Sequence, residues 1–122
     1  MPPVVGRIRR RTTFRALSRP DGRGQMGTVM VAFSSHAAEV TSFPLVGYSI
    51  GRRHGGAVER NRLRRRLRAA VRASGPELPA GGYLVRAAPQ AAELGFEDLR
   101  RAFRAAAQAA AAGADGGGRR TL

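Results

Sequence analysis

Between residues 52 and 72 the chain places nine arginines and a single acid, Glu59, so this stretch carries +8 of the formal +14 at pH 7. Guanidinium groups at that density do one kind of chemistry well: each is a permanently charged, planar fork of N–H donors that bonds phosphate oxygens in pairs. The spacing says how they are displayed. With Val58 set at 0° and about 100° per residue, Leu63, Leu67, Ala70 and Val71 fall within roughly 120–220°, one apolar stripe. Asn61, Arg65, Arg68 and Arg72 fall at about 280–340°, with Arg64 at the border and Arg62 and Arg66 round the far side. A helix over residues 57–73 therefore packs one face on a core and presents an almost wholly cationic remainder. Alone it is unfavourable. Arg60/Arg64, Arg62/Arg66, Arg64/Arg68 and Arg68/Arg72 are like-charge i,i+4 pairs, each costing about 0.2–0.5 kcal/mol. A solvated face normally mixes signs; this one points to a polyanion. Arg60 falls near the apolar side, but in the first turn, from which it can reach around the helix end.

Hydrolytic chemistry carried by the protein itself finds no support. The eight acids, Asp21, Glu39, Glu59, Glu77, Glu93, Glu97, Asp98 and Asp115, are scattered, and only Glu97 and Asp98 are adjacent. Neighbours on a helix do not converge on one metal ion, as a carboxylate-held Mg²⁺ would need. His36 and His54 lack ligand spacing, and a Ser/His/Asp set cannot be assembled. There is no cysteine, hence no disulfide framework or thiolate metal site. All 22 basic residues are arginine in a chain also rich in alanine and glycine, so the arginine excess itself reflects overall composition. No apolar run reaches membrane-spanning length, no secretory leader is recognisable, and no helix pairs its basic face with large aromatic anchors, so a membrane partner is not expected.

At 122 residues and 43% hydrophobic content the chain suits one domain with a modest core. We expect a loose arm over residues 1–6, a folded domain over 7–112 and a disordered tail over 113–122. Residues 12–18 read as a short helix with Phe14 and Leu17 inward. Residues 19–24 read as a turn, 26–33 as a buried strand, 34–42 as a polar connection with His36 facing solvent, and 43–50 as a second strand. The glycines of 51–56 let backbone approach a phosphate at the start of the arginine helix. Gly75-Pro76 stops that helix. Residues 83–87 form a third strand, 89–95 are irregular, and Phe96, Leu99, Phe103 and Ala106 give an amphipathic helix over 96–112. The order helix–strand–strand–helix–strand–helix is an α+β sandwich with helices against one sheet.

The stretch Ala57-Val58-x-Arg60-Asn61-Arg62-x-Arg64-Arg65-x-x-Arg68, preceded by Gly47-x-Ser49 and Arg52-Arg53, resembles the signature of the bacterial ribonuclease P protein component, and the similarity extends more weakly over residues 8–110. The resemblance implies an α+β fold of order αβββαβα, a two-layer sandwich on a mixed sheet related to a ribosomal-protein domain, with one strand more than the pattern resolves and a left-handed strand–helix–strand crossover. It implies a small cytoplasmic subunit, monomeric in a 1:1 complex with a catalytic RNA, that helps remove the 5′ leader of precursor tRNA. Mg²⁺ would then be held by the RNA and substrate, with no protein site and no catalytic side chain. The RNA contact falls on Arg52, Arg53, Arg60, Asn61, Arg62, Arg64, Arg65 and Arg68. A cleft between the first helix and the sheet, suited to single-stranded leader, falls on Arg11, Phe14, Phe33 and Arg86; a one-residue gap would exchange Phe33 for Ala32. A second cleft aromatic of the family is Ser18 here, and an acidic residue of the family is Gly82. The strongest alternative is a ribosomal or other structural RNA-binding protein; a DNA-binding basic zipper lacks its heptads.

Overall fold

Residues 29–34 are rich in β-branched and apolar side chains and form a strand that buries Val29, Val31 and Phe33 on one side, with Met30 and Ala32 on the other. The computed structural model describes residues 5–8, 11–35 and 43–120, and the side chains of all these but 76 and 114–120. In chain order the elements are β1 (Gly6–Arg7), α1 (Arg11–Ala16), β2 (Gly22–Met26), β3 (Val29–Ser34), β4 (Pro44–Ser49), α2 (Ala57–Ser74), β5 (Gly81–Ala87) and α3 (Phe96–Arg120). Single 3-10 turns stand at Arg52–His54 and Gly75–Glu77, and a longer one at Pro89–Glu93. With the two-residue β1 set aside, the order is αβββαβα.

The five strands lie in the order β1-β4-β5-β3-β2. Strand β5 is the centre, antiparallel to β3 and parallel to β4. Its Tyr83 stands opposite Phe33 and Val46, and its Val85 opposite Val31 and Tyr48, so these residues share one face. Onto that face α2 brings Leu63, Leu67 and Val71, and α3 brings Leu99, Phe103 and Ala106, closing the core. The Phe33 and Tyr83 rings meet at 5.0 Å between centroids, tilted by 59°. The Tyr83 hydroxyl donates to the Pro79 carbonyl at 2.6 Å, which satisfies the polar end of an otherwise apolar ring. The reverse face carries Met30, Ala32, Leu84 and Arg86, and the chain after α1 crosses it at Leu17.

Several expectations change. Residues 26–33 are not one strand but part of a hairpin. Gly27 adopts φ +58°, the chain reverses, and residues 22–26 pair back on β3 although their glycines and arginine read as a turn. This hairpin supplies the strand that periodicity did not resolve. Helix α1 is shorter than expected, and Phe14 is 43% exposed while Leu17, just past the helix end, is buried. Helix α3 runs on to Arg120, past the boundary expected at 112. At the start of this extension it still meets β2: a Cβ placed at Gly113 would be only 3.7 Å from Gly22 Cα. At the other end, residues 1–4 of the expected arm lie outside the described residues, while Gly6 pairs with Leu45. Residues 36–42, with His36, also lie outside them.

Helix α3 rests on β2 with no room for a side chain between them. A Cβ at Gly24 would run into the carbonyl oxygen of Ala106, and would stand 2.8 Å from the Ala110 nitrogen and 2.9 Å from the Ala109 Cβ. Alanines on the helix and glycine on the strand are what allow the two backbones this approach.

Candidate nucleic-acid interface

Helix α2 displays its arginines much as the wheel requires. Leu63, Leu67, Ala70 and Val71 are buried, whereas Asn61, Arg62, Arg65, Arg68 and Arg72 are exposed. Among the described residues the two ion pairs use Arg100 and Arg104 of α3, with Glu97 and Glu77, so no α2 arginine is neutralised by a carboxylate. Glu97 is held below the usual carboxylate range by its hydrogen bond and charge interaction with Arg100.

Three arginines of α2 are turned back onto the protein. The Arg60 Nε donates to the Gly56 carbonyl at 3.4 Å, so this side chain does fold around the helix start. Arg64 donates from Nη1 to Asn61 Oδ1 at 3.1 Å and from Nη2 to the Ile50 carbonyl at 3.3 Å. It thereby ties α2 to the end of β4, and with Oδ1 occupied the Asn61 amide is left to donate outward. Arg66 donates from Nη1 to the Ala92 carbonyl at 3.0 Å and from Nη2 to the Leu94 carbonyl, bracing α2 against the segment that leads into α3. These bonds to carbonyl dipoles relieve part of the like-charge strain along the helix.

The Arg66 clamp makes a direct prediction. Arg66→Ala should lower the stability of the fold by about 1.5–3 kcal/mol, the range for charged hydrogen bonds, read by urea unfolding. Its affinity for RNA should stay within a factor of about two, because a guanidinium committed to carbonyls attracts RNA only at a distance, through salt and water that screen it. A loss of RNA affinity with unchanged unfolding would contradict this division of labour.

The loop before α2 has an anchor that sequence reasoning missed. The His54 ring lies between two carbonyls, Gly51 (Nδ1, 3.2 Å) and Ala87 at the end of β5 (Nε2). It pins the turn that exposes Arg52 and Arg53 beside α2. Nothing local signals this, because the Ala87 partner is 33 residues away.

The four residues expected in one cleft are not brought together. Phe33 is 5% exposed, its ring faces Tyr83, and it belongs to the core; its neighbour Ala32 faces the open side. The assignment of Phe33 to the cleft is therefore corrected: strand pleat sends alternate residues to opposite faces, so a one-residue shift exchanges core for surface. Ala32 and Arg86 line a cavity of about 580 Å³ on the reverse face of the sheet, with Leu17, Ser18, Met30 and Leu84. Phe14 instead lines a second cavity, of about 500 Å³, at the β4 edge, with Tyr48, Arg64, Arg68 and Arg72. Its ring carbons would lie 3.1 Å and 3.2 Å from a Cβ at Gly47, so a bare backbone at 47 lets the ring lie close to the strand. Arg11 is exposed at the first position of α1. In the β4-edge cavity Arg68 stands over the Tyr48 ring, 6.0 Å from its centroid. Burial pushes the Tyr48 hydroxyl up to about 12, against the opposing pull of Arg68 and Arg72.

Among the described residues no group of three or more His, Cys, Asp or Glu stands close enough to hold a metal ion. Among them, too, no helix is long and apolar enough to cross a membrane.

A family model described as Ribonuclease P matches residues 3–111. The chain is 40% identical over 104 residues to the ribonuclease P protein component of Acidothermus cellulolyticus, covering 84% of this chain and 86% of that protein. It is 38% identical over 110 residues to the same component of Salinispora tropica, covering 76% and 81%. Among solved structures, the ribonuclease P protein of Thermotoga maritima superposes with a TM-score of 0.67 at 23% identity, over 80% of this chain and 90% of that one. That of Staphylococcus aureus superposes with a TM-score of 0.67 at 18% identity, over 80% and 87%. At such identities the superpositions bear on the fold, and the sequence matches bear on the family.

Proposed function

The chain belongs to the ribonuclease P protein component family, and from that premise we propose that it binds the catalytic RNA through the outer face of α2 while the RNA carries the cleavage. It is a ribonuclease P component with a role in RNA binding and tRNA processing, and the ribosomal alternative is displaced by the match over residues 3–111. The observation that carries the binding mode is the single sign of the exposed face: Arg62, Arg65 and Arg68 on α2, with Arg52 and Arg53 from the pinned turn, and no carboxylate partner for them among the described residues. Arg60 and Arg64 act behind this face by fixing the helix start, and Asn61 donates from the face itself.

The protein's part is to neutralise and position. Phosphates that would repel one another are brought together by guanidinium groups already fixed on a rigid helix, so little ordering is left to occur on binding. Mg²⁺ belongs to the RNA and the precursor tRNA, a reading supported by the scatter of the eight acids along the chain. The leader of the substrate runs over the reverse face of the sheet, where Arg86 supplies charge and Met30, Ala32 and Leu84 supply apolar surface. The assembly is one protein with one RNA.

The test is cleavage of precursor tRNA at low Mg²⁺ by the RNA subunit alone, the protein alone and both together. The expected result is a mature 5′ end from the pair, little from the RNA, and none from the protein. Metal-dependent cleavage by rigorously RNA-free protein would overturn the assignment of the chemistry to RNA.

A further inference from the structure

The sheet ends unevenly beside the turn that precedes α2. Strand β4 stops at Ser49, opposite Arg86, so the carbonyl of Ala87 on β5 lies one residue beyond the last pair of that ladder. The ring of His54 takes this carbonyl through Nε2, from the 3-10 turn Arg52–His54. The other ring nitrogen, Nδ1, stands 3.2 Å from the Gly51 carbonyl, which also accepts the His54 backbone amide at 3.1 Å. The half-buried ring is thereby wedged between the start of its own turn and the end of the central strand.

Both acceptors are carbonyl oxygens, which have no hydrogen to give. A neutral imidazole carries one N–H and one lone pair, so either tautomer bonds one carbonyl and turns its lone pair on the other. Only the imidazolium donates from both nitrogens. The nearby cations oppose that form. Arg52 and Arg53 lie on the same turn, Arg64 and Arg60 are tied to the Ile50 and Gly56 carbonyls on either side of it, and Arg86 precedes Ala87 on β5. Against them stand Glu59, whose side chain lies beside Gly55 and Gly56, and, after β5, Glu93. A phosphate drawn to Arg52 and Arg53 tips this balance toward the imidazolium.

We propose that His54 is a positioning residue for the RNA contact: its imidazolium holds Arg52 and Arg53 in place, and binding of RNA takes up a proton at this ring. With the proton present, the turn is fixed at both ends, and its two exposed guanidinium groups meet phosphates already placed. Without it, one of the two bonds is gone, and the turn must be ordered as the RNA binds. Linkage makes the effect reciprocal: a proton that strengthens the hold on RNA is itself held more strongly by RNA. Histidine ordinarily gives up its proton at about pH 6.5, so the coupling falls where small changes of pH matter. Phosphate contacts by arginine alone show no such dependence, because guanidinium stays charged throughout. This inference rests on the reading of α2 and its preceding turn as the RNA contact, and adds to it a residue that acts through Arg52 and Arg53.

The experiment measures the affinity of the full chain for the catalytic RNA at about pH 6 and about pH 8, at one ionic strength, with proton uptake read by calorimetry in buffers of different ionisation enthalpy. The parent should bind about 3–10-fold more weakly at the higher pH, as expected when one hydrogen bond is lost, and should take up protons on binding. His54→Gln keeps a donor amide but carries no charge at either pH, so it should remove both effects. His36→Gln, which changes the chain's other histidine, should keep both. A merely structural role for His54 would weaken binding by the same factor at both pH values and overturn the proposal, as would loss of the two effects in His36→Gln. A parent that binds without proton uptake overturns it too, and that reading needs no variant, so it stands even if His54→Gln fails to fold. Arg65→Ala is the reference. If it weakens binding while the parent shows no pH dependence, the role of His54 alone is refuted; if it binds like the parent, the reading of α2 falls with it.

Discussion

Gly24→Ala should lower stability by about 3 kcal/mol or more, the upper end for overpacking. The added Cβ has no empty volume to enter. It meets the Ala106 carbonyl and the Ala110 nitrogen, which are helix backbone and cannot swing aside as a side chain would. Relief requires α3 to lift from β2, which exposes Phe103, Ala106 and Ala110, all fully buried in the parent. For a domain of this size the melting temperature should fall by roughly 10 °C or more. Gly27→Asn is the control: it lies just past the end of β2, a Cβ there would have no atom within 4 Å, and its φ of +58° is one asparagine tolerates. A Gly24→Ala variant that melts with the parent would mean that α3 does not lie on β2.

The second large effect concerns ionic strength. Arg52, Arg53, Arg62, Arg65 and Arg68 are exposed, and each that meets a phosphate displaces condensed counterions. Five contacts predict that log affinity for the catalytic RNA falls with log salt at a slope of about −4, a loss on the order of 10²–10³ between 50 and 200 mM. Arg65→Ala and Arg68→Ala should each weaken binding and each flatten the slope by about 0.7–0.9. Neither should change the melting temperature, because both side chains lie off the apolar stripe that holds Leu67. A salt-insensitive affinity, or variants that keep the parent slope, would remove α2 from the RNA contact.

Helix α2 was legible because a 3.6-residue period survives in any context: four buried positions and the cationic face follow from counting alone, and the helix ends one residue beyond the expected limit, at Ser74. The β2–β3 hairpin was not. Met26 and Val29 flank Gly27-Thr28 and make the turn look like strand, while the glycines of β2 look like turn; Gly24 is there for the approach of α3, which only the folded chain reveals. The same reasoning covers the length of α3. Composition over 113–120 suggests disorder, and a wheel cannot know that Gly113 lies against Gly22 of β2. Within the site, the wheel gives the direction of Arg66 but not the Ala92 and Leu94 carbonyls it finds there. Phe33 and Ala32 could not be separated by motif matching, since one gap exchanges them; the strand pleat decides, and it sends Phe33 inward. Of the β4-edge cavity, the sequence pointed to Phe14 and Arg68 one by one but not to their meeting with Tyr48, because its walls come from residues 14, 48, 68 and 72.

The place of β5 at the centre of the sheet governs how the chain reaches its folded state. Strands β3 and β4 do not pair with each other; each waits for β5, which lies beyond α2 in the sequence. During synthesis the ribosome therefore releases a β2–β3 hairpin, a separate β1–β4 pair and an arginine-rich helix before the strand that joins them exists. Until Ala87 has emerged, two ladders of backbone donors and acceptors stand open, and the apolar face of α2 has no complete sheet to cover. Closure then depends on contacts distant in sequence, the kind that slows folding. A nascent chain in this condition holds its most cationic segment exposed in a cell full of RNA, and polyanion contact during that interval would screen the mutual repulsion of its arginines before the core is able to hold them in place.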